Sequence, residues 1–131
     1  MKIKLCEYVN IERSNRSIKI VNLNDDLSFQ AQRHTDDMQI NNFVSHIGSD
    51  GSDYVKRIKR SNFACNPVGE IILKGPGGPN CLKVAVNHWL SSPPHREILL
   101  DYSATTIGIG ISMRNEKYKG NYFCILFVKQ L

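Results

Sequence analysis

The sequence predicts an α+β fold, an α–β–α sandwich with a central antiparallel β-sheet between helical layers, on three observations. The front of the chain carries apolar residues at helical spacing, such as Leu27, Ala31, His34 and Met38 at i, i+4, i+7 and i+11. Near the end, Ile107, Ile109 and Ile111 alternate with Thr106, Gly108, Gly110 and Ser112, the period of a strand. The run Tyr122 to Val128 is apolar at every position, and a strand apolar on both faces must be covered on both. No internal repeat interrupts the pattern, and residues 1–131 read as a single domain.

In chain order, residues 5–16 read as a helix with Leu5, Tyr8 and Val9 inward and Glu12, Arg13 and Arg16 on the polar side. An irregular or short extended segment follows. Asn24 or Asp25 then caps a second helix over about 26–41. His34 lies on its apolar stripe and reads as a core or cleft-edge histidine. Residues 42–53 form a loop in which Phe43 and Val44 plug inward, followed by Ser45 and His46. Asp50 or Ser52 caps a third helix over about 52–61, with Tyr54, Val55 and Ile58 inward.

The segment from Asn62 to Asn80 reads as a long connection. It carries Glu70 just before Ile71, Ile72 and Leu73, and its GPGGP run lacks the Gly-Lys-Ser/Thr ending of a phosphate loop. Cys81 begins a helix with Leu82, Ala85, Val86, Trp89 and Leu90 on one stripe. Pro93 and Pro94 stop it, and His95 follows at once. Arg114 to Gly120 is the turn between the two final strands.

Composition excludes several classes. No apolar run approaches the ~20 residues of a membrane span. MKIKLCEYVN is no signal peptide, so export implies a signal sequence already removed. The formal charge is +5, and the densest basic run, Lys56, Arg57, Lys59 and Arg60, has no interleaved aromatics. It reads as a solvated face rather than a nucleic-acid patch. Among the four cysteines, Cys124 reads as a buried thiol. Cys65 and Cys81 are the best candidate disulfide, which would contribute ~3 kcal/mol, against the alternative of four free thiols.

His46, Glu70 and His95 each sit at a loop or element end beside Gly or Pro. Two imidazoles and a carboxylate suit a divalent metal such as zinc with a water in an open position, or equally an acid–base pair oriented by the carboxylate. His88 is a possible extra ligand but lies off the apolar stripe and reads as a surface residue.

The ordered set is more specific than any one motif. It comprises Asn10 with Glu12-Arg13, Leu23 to Leu27, Ala31, Asp37-Met38, Phe43, Ser45-His46, Gly51, Arg57-Ile58 and Gly69-Glu70. It continues through Trp89, Ser92-Pro93, His95-Arg96, Ile98-Leu99, Ile107-Gly108-Ile109-Gly110 and the final aromatic strand. Over about 7–130 the chain resembles the CAP superfamily of cysteine-rich secretory, antigen 5 and pathogenesis-related 1 proteins, in its compact bacterial branch. The resemblance implies the sandwich with a central cleft and maps the cleft residues to His46, Glu70 and His95. It gives Arg96 a structural pairing. The family's usual Gly-Glu-Asn is Gly69-Glu70-Ile71 here, its second acid falls at Ser92, and Pro94 stands where glycine is usual. One carboxylate fewer implies weaker metal affinity.

The resemblance implies a monomeric, extracellular or cell-surface binding module with no required cofactor, taking a lipid, sterol or protein ligand. The competing reading is a weak divalent-metal hydrolase in the same cleft. No HExxH, G-x-S-x-G or reactive-cysteine signature supports it. Nucleic-acid binding ranks last.

Overall fold

In the computed structural model, which describes residues 1–131, strand β4 (Asn121–Gln130) divides the core by residue parity. Phe123, Ile125 and Phe127 join one apolar cluster, and Tyr122, Cys124, Leu126 and Val128 join another. Successive strand side chains point to opposite faces, so the continuous apolar run feeds two helical layers. Helix α1 (Lys2–Ser14), α4 (Cys81–Ser91) and α5 (Pro93–Leu99) cover the first face. Helix α2 (Asp25–Asn41) and α3 (Tyr54–Arg60) cover the second.

The sheet is completed by β1 (Asn22–Leu23), β2 (Cys65–Gly75) and β3 (Thr106–Ser112), in the order β1-β3-β4-β2. All pairs are antiparallel except the two-residue β1 against β3. The tight layer is α2 on β3. A Cβ at Gly108 would lie 2.4 Å from the Leu27 backbone and one at Gly110 2.3 Å from that of Ala31. Only glycine admits this approach. Beyond Ile107, where β1 ends, Ser28 Oγ and Gln32 Oε1 accept from the amides of Ile109 and Ile111, so α2 satisfies the strand edge.

The structure differs from the sequence reading in several places. Val44 does not plug inward but is 49% exposed, and α3 is capped by Asp53, whose side chain accepts from the Lys56 amide, rather than by Asp50 or Ser52. The connection expected over 62–80 contains β2, which pairs with β4 from Cys65 opposite Gln130 to Gly75 opposite Asn121. Pro67, Gly69 and Glu70 hid it, yet the register shift between Pro67 and Gly69 absorbs the missing donor. Pro93 and Pro94 do not leave His95 in a loop. They occupy the first positions of α5, where a missing N–H costs nothing.

The Cys65–Cys81 disulfide does not form, and all four cysteines are free. Cys65 packs against the cluster beneath α2 and α3, whereas Cys81 belongs to the cluster beneath α1, α4 and α5, so the two lie on opposite faces of the sheet. Finally, Arg13 is not solvated. It is fully buried and donates to the carbonyls of Lys19 (2.8 Å), Leu99 (2.9 Å) and Ala104 (3.4 Å).

Candidate functional site

Asn42, in the left-handed conformation at φ 54°, ends α2 and turns the chain into the loop 42–53. Phe43 packs edge-on to the buried His34 ring at 6.4 Å. His34 Nε2–H donates to Ser45 O at 2.8 Å. Across the loop, Arg57 Nη1 donates to Ser52 O (2.8 Å) and Nη2 to His46 O (2.9 Å). The backbone on both sides of His46 is therefore held from α2 and from α3.

The side chain is held from below. His46 Nδ1–H donates to Glu70 Oε1 at 2.7 Å, and Arg57 Nη2 donates to Glu70 Oε2, also at 2.7 Å. Cys124 Sγ adds a weaker contact to Oε2 at 3.5 Å. The Glu70 side chain is 0% exposed and that of His46 52%, so the acid is hidden and the imidazole presents its far edge to solvent. Burial pushes the Glu70 carboxyl up. The hydrogen bond from His46 and the charge and hydrogen bond of Arg57 outweigh that and hold it below the ordinary glutamate value. Burial pushes the Cys124 thiol well up, and Glu70 adds to this, so it stays a neutral donor.

His95 approaches from the other layer. Its helix lies against β2 where Ile98 meets Gly69, at which a Cβ would come within 3.0 Å of the Ile98 side chain. The ring of His95 is 6.3 Å from that of His88, centroid to centroid, and its Nδ1 is buried without a hydrogen-bond partner. Burial lowers its pKa first, and the charges of His88 and His46 lower it further. The structure thus joins His46 to Glu70 directly and sets His95 across the β2 edge from them, bonded to neither.

No three His, Cys, Asp or Glu side chains converge to hold a metal ion. Of the expected His46–Glu70–His95 set, Glu70 is fully buried and its two oxygens accept from His46 and Arg57, so it stands behind His46 rather than beside it. What remains for a metal is imidazole nitrogen, with Glu70 behind His46 as the orienting carboxylate that metal-bound histidines commonly have. His88, read from sequence as a surface residue, is exposed but does neighbour His95.

Arg57 and Cys124 were not predicted as site residues. Cys124 offered no signal beyond its apolar neighbours. Arg57 did offer one, since with Tyr54 and Ile58 it falls at i+3 and i+4 on the inward stripe of α3, and it is 3% exposed.

The family model for CAP, the cysteine-rich secretory protein family, matches residues 6–127. Among curated proteins, the uncharacterized protein YkwD of Bacillus subtilis (strain 168) is 28% identical over 107 residues, 82% of this chain and 40% of its own length. The uncharacterized membrane protein YlbC of the same organism is 30% identical over 82 residues, 62% of this chain and 22% of its own. The chain therefore spans less than half the length of the curated relatives it matches.

Among solved structures, an outer surface protein from Borrelia burgdorferi superposes with a TM-score of 0.85 at 25% identity, covering 100% of this chain and 92% of that one. An extracellular protein containing a SCP domain from Bacillus anthracis superposes with a TM-score of 0.83 at 23% identity, covering 97% of this chain and 39% of that one.

Proposed function

The chain belongs to the cysteine-rich secretory protein (CAP) family, and on that premise we propose that it is a non-enzymatic binding module at the cell exterior. Its lipid, sterol or protein ligand sits in the cleft between His46 and His95. The observation that carries this reading is the state of Glu70. Its side chain is fully buried, and both its oxygens accept short hydrogen bonds from the protein. A carboxylate so engaged, with no surface exposed to solvent, orients an imidazole rather than meeting a water to activate it. The exterior location is supported by two structural neighbours, one described as an extracellular protein and one as an outer surface protein. No helix is long and apolar enough to cross a membrane.

The test uses cholesterol-containing vesicles and a fluorescent palmitate analogue as probes. Purified protein binds one of them, and His46→Ala with His95→Ala weakens that binding by more than about tenfold while the fold is retained. Equal binding by the wild type and the double variant would remove the cleft from the reading.

The His46–Glu70 hydrogen bond favours one second reading. A carboxylate behind an outward-facing imidazole is the usual support of a metal ligand. His46 and His95 would hold zinc or another divalent cation, which when bound supplies Lewis acidity and an acidified water. Glu70 and Arg57 would fix the His46 ring. Zinc titration followed by calorimetry decides this, with wild type binding and the double histidine variant not.

A further inference from the structure

Against the 42–53 loop lies a cavity of about 250 Å³ with no hydrophobic residue in its lining. Its walls come from α2, the loop and α3, and they include three arginines, Arg33, Arg57 and Arg60, and two aspartates, Asp37 and Asp50. The acids have their partners. Asp37 Oδ1 accepts from Ser49 Oγ (2.6 Å) and Asn41 (2.7 Å), and its Oδ2 from the Ser49 amide (2.8 Å). Asp50 Oδ1 accepts from the Ser52 amide (2.9 Å) and Oδ2 from Arg60 (3.0 Å).

The donors are not all used. Arg57 spends Nη1 and Nη2 within the protein, but its Nε is buried with no partner. Gln30 also lines the cavity and is 6% exposed. Arg33 is exposed and enters no ion pair. Buried polar groups are rarely left unpaired in a native protein, and each one so left costs stability until an acceptor arrives. Here the buried unpaired group is the Arg57 Nε–H, a donor of positive charge, and Arg33 and Gln30 line the same polar cavity, while both carboxylates already accept hydrogen bonds from the protein.

We propose that this cavity is a binding site for a compact oxyanion, a phosphate or a carboxylate, recognised by Arg33, Arg57 and Gln30. It is separate from the His46–His95 cleft and does not depend on the function assigned there. Arg57 belongs to both, since its Nη2 holds Glu70 and His46 while its Nε is left for the anion.

The experiment titrates the whole protein with inorganic phosphate and, in parallel, with acetate, read by isothermal calorimetry and by the shift in Tm. At least one anion binds and raises Tm, and added salt weakens binding because the contacts are charged. Arg33→Ala leaves Tm without ligand unchanged, because Arg33 supports nothing in the fold, and weakens binding about tenfold, the loss of one charged contact. Gln30→Leu fills the same volume without donors and also weakens binding. The His46→Ala, His95→Ala double variant binds the anion as the wild type does, so failure of the cleft reading leaves this one standing. Absence of binding at millimolar phosphate and acetate overturns the proposal. So does unchanged affinity in both Arg33→Ala and Gln30→Leu, or a crystal structure grown with phosphate in which a single water satisfies Arg57 Nε.

Discussion

Two arginines are buried in this protein, and they do different things with the same side chain. Arg13, at the end of α1, is 0% exposed and is met by backbone carbonyls, those of Lys19, Leu99 and Ala104. It ties the chain after α1 to the end of α5 and to the approach to β3, and nothing beyond those carbonyls depends on it. Burial pulls its pKa down, with Asp101 opposing. Arg57, on α3, also takes two carbonyls, but its Nη2 meets a buried carboxylate that in turn holds an exposed imidazole. A buried charge is therefore no sign of function by itself. The sign is a buried chain of hydrogen bonds whose last member reaches solvent.

The largest way to break this contrast is Arg57→Ala. It leaves Glu70 ionised and buried without its cation, which costs about 3–5 kcal/mol. Urea unfolding measures it, and amide exchange should show the loss of protection concentrated in residues 42–53. Replacing both partners, Arg57→Met with Glu70→Leu, removes the charge and its counter-charge together and should cost less than the single change. A single-variant cost below about 1 kcal/mol would mean the pair does not hold the loop. Arg13→Met should cost about 2–3 kcal/mol, from carbonyls left without a donor. It should leave protection of the 42–53 loop and any ligand affinity as in the wild type.

Acid separates the same two regions, because the titrating groups cluster around Arg57 and His95. Burial lowers the His34 pKa first, and the charge of Arg57 lowers it further, against the opposing pull of Glu70, Ser45 and Asp37. His95 is lowered as well. A histidine whose folded pKa lies below its unfolded value binds fewer protons when folded. Stability is therefore full above about pH 6.5 and falls as the pH drops toward the folded values. Glu70 is depressed, so its contribution is present above the unfolded glutamate pKa of about 4.3 and is lost as the pH falls through the folded value. Unfolding free energy against pH should show two declines, one below neutrality and one in the acid carboxylate range. The second should shrink but not vanish in Arg57→Met with Glu70→Leu, because hydrogen bonds also hold Asp37 and Asp50 below the ordinary aspartate range. Arg13→Met should shift the whole curve down without changing its shape.

Much of the architecture was legible because it rests on periodicity. The two-sided run in β4, the alternation in β3 and the stripe of α2 each report burial directly. The strand β2 was hidden because Asn66, Pro67, Gly69 and Glu70 carry turn-like and charged chemistry, while the ladder to β4 uses backbone groups that all residues share. Both buried arginines were read as solvated for one reason. Residue type argues for water, and only the tertiary arrangement of free carbonyls and one carboxylate reverses it. Of the cleft trio, the His46–Glu70 contact is realised at 2.7 Å, whereas no spacing in a sequence shows that Arg57 already occupies the other carboxylate oxygen.

The smallest expected effect is also the sharpest test of which of the two histidines is structural. His46→Ala removes the donor to Glu70 Oε1, and with it one hydrogen bond to a charged group on a half-exposed residue, at about 1–2 kcal/mol. His95 gives the fold no comparable bond. Its Nδ1 is buried and already unpartnered, so the native state carries that desolvation cost without return. His95→Ala should then leave stability within about 0.5 kcal/mol of the wild type at neutral pH, and should flatten the decline just below neutrality. Unchanged stability would show that the His95 ring does nothing for the fold. A loss from His95→Ala equal to that from His46→Ala would instead make both rings part of the scaffold.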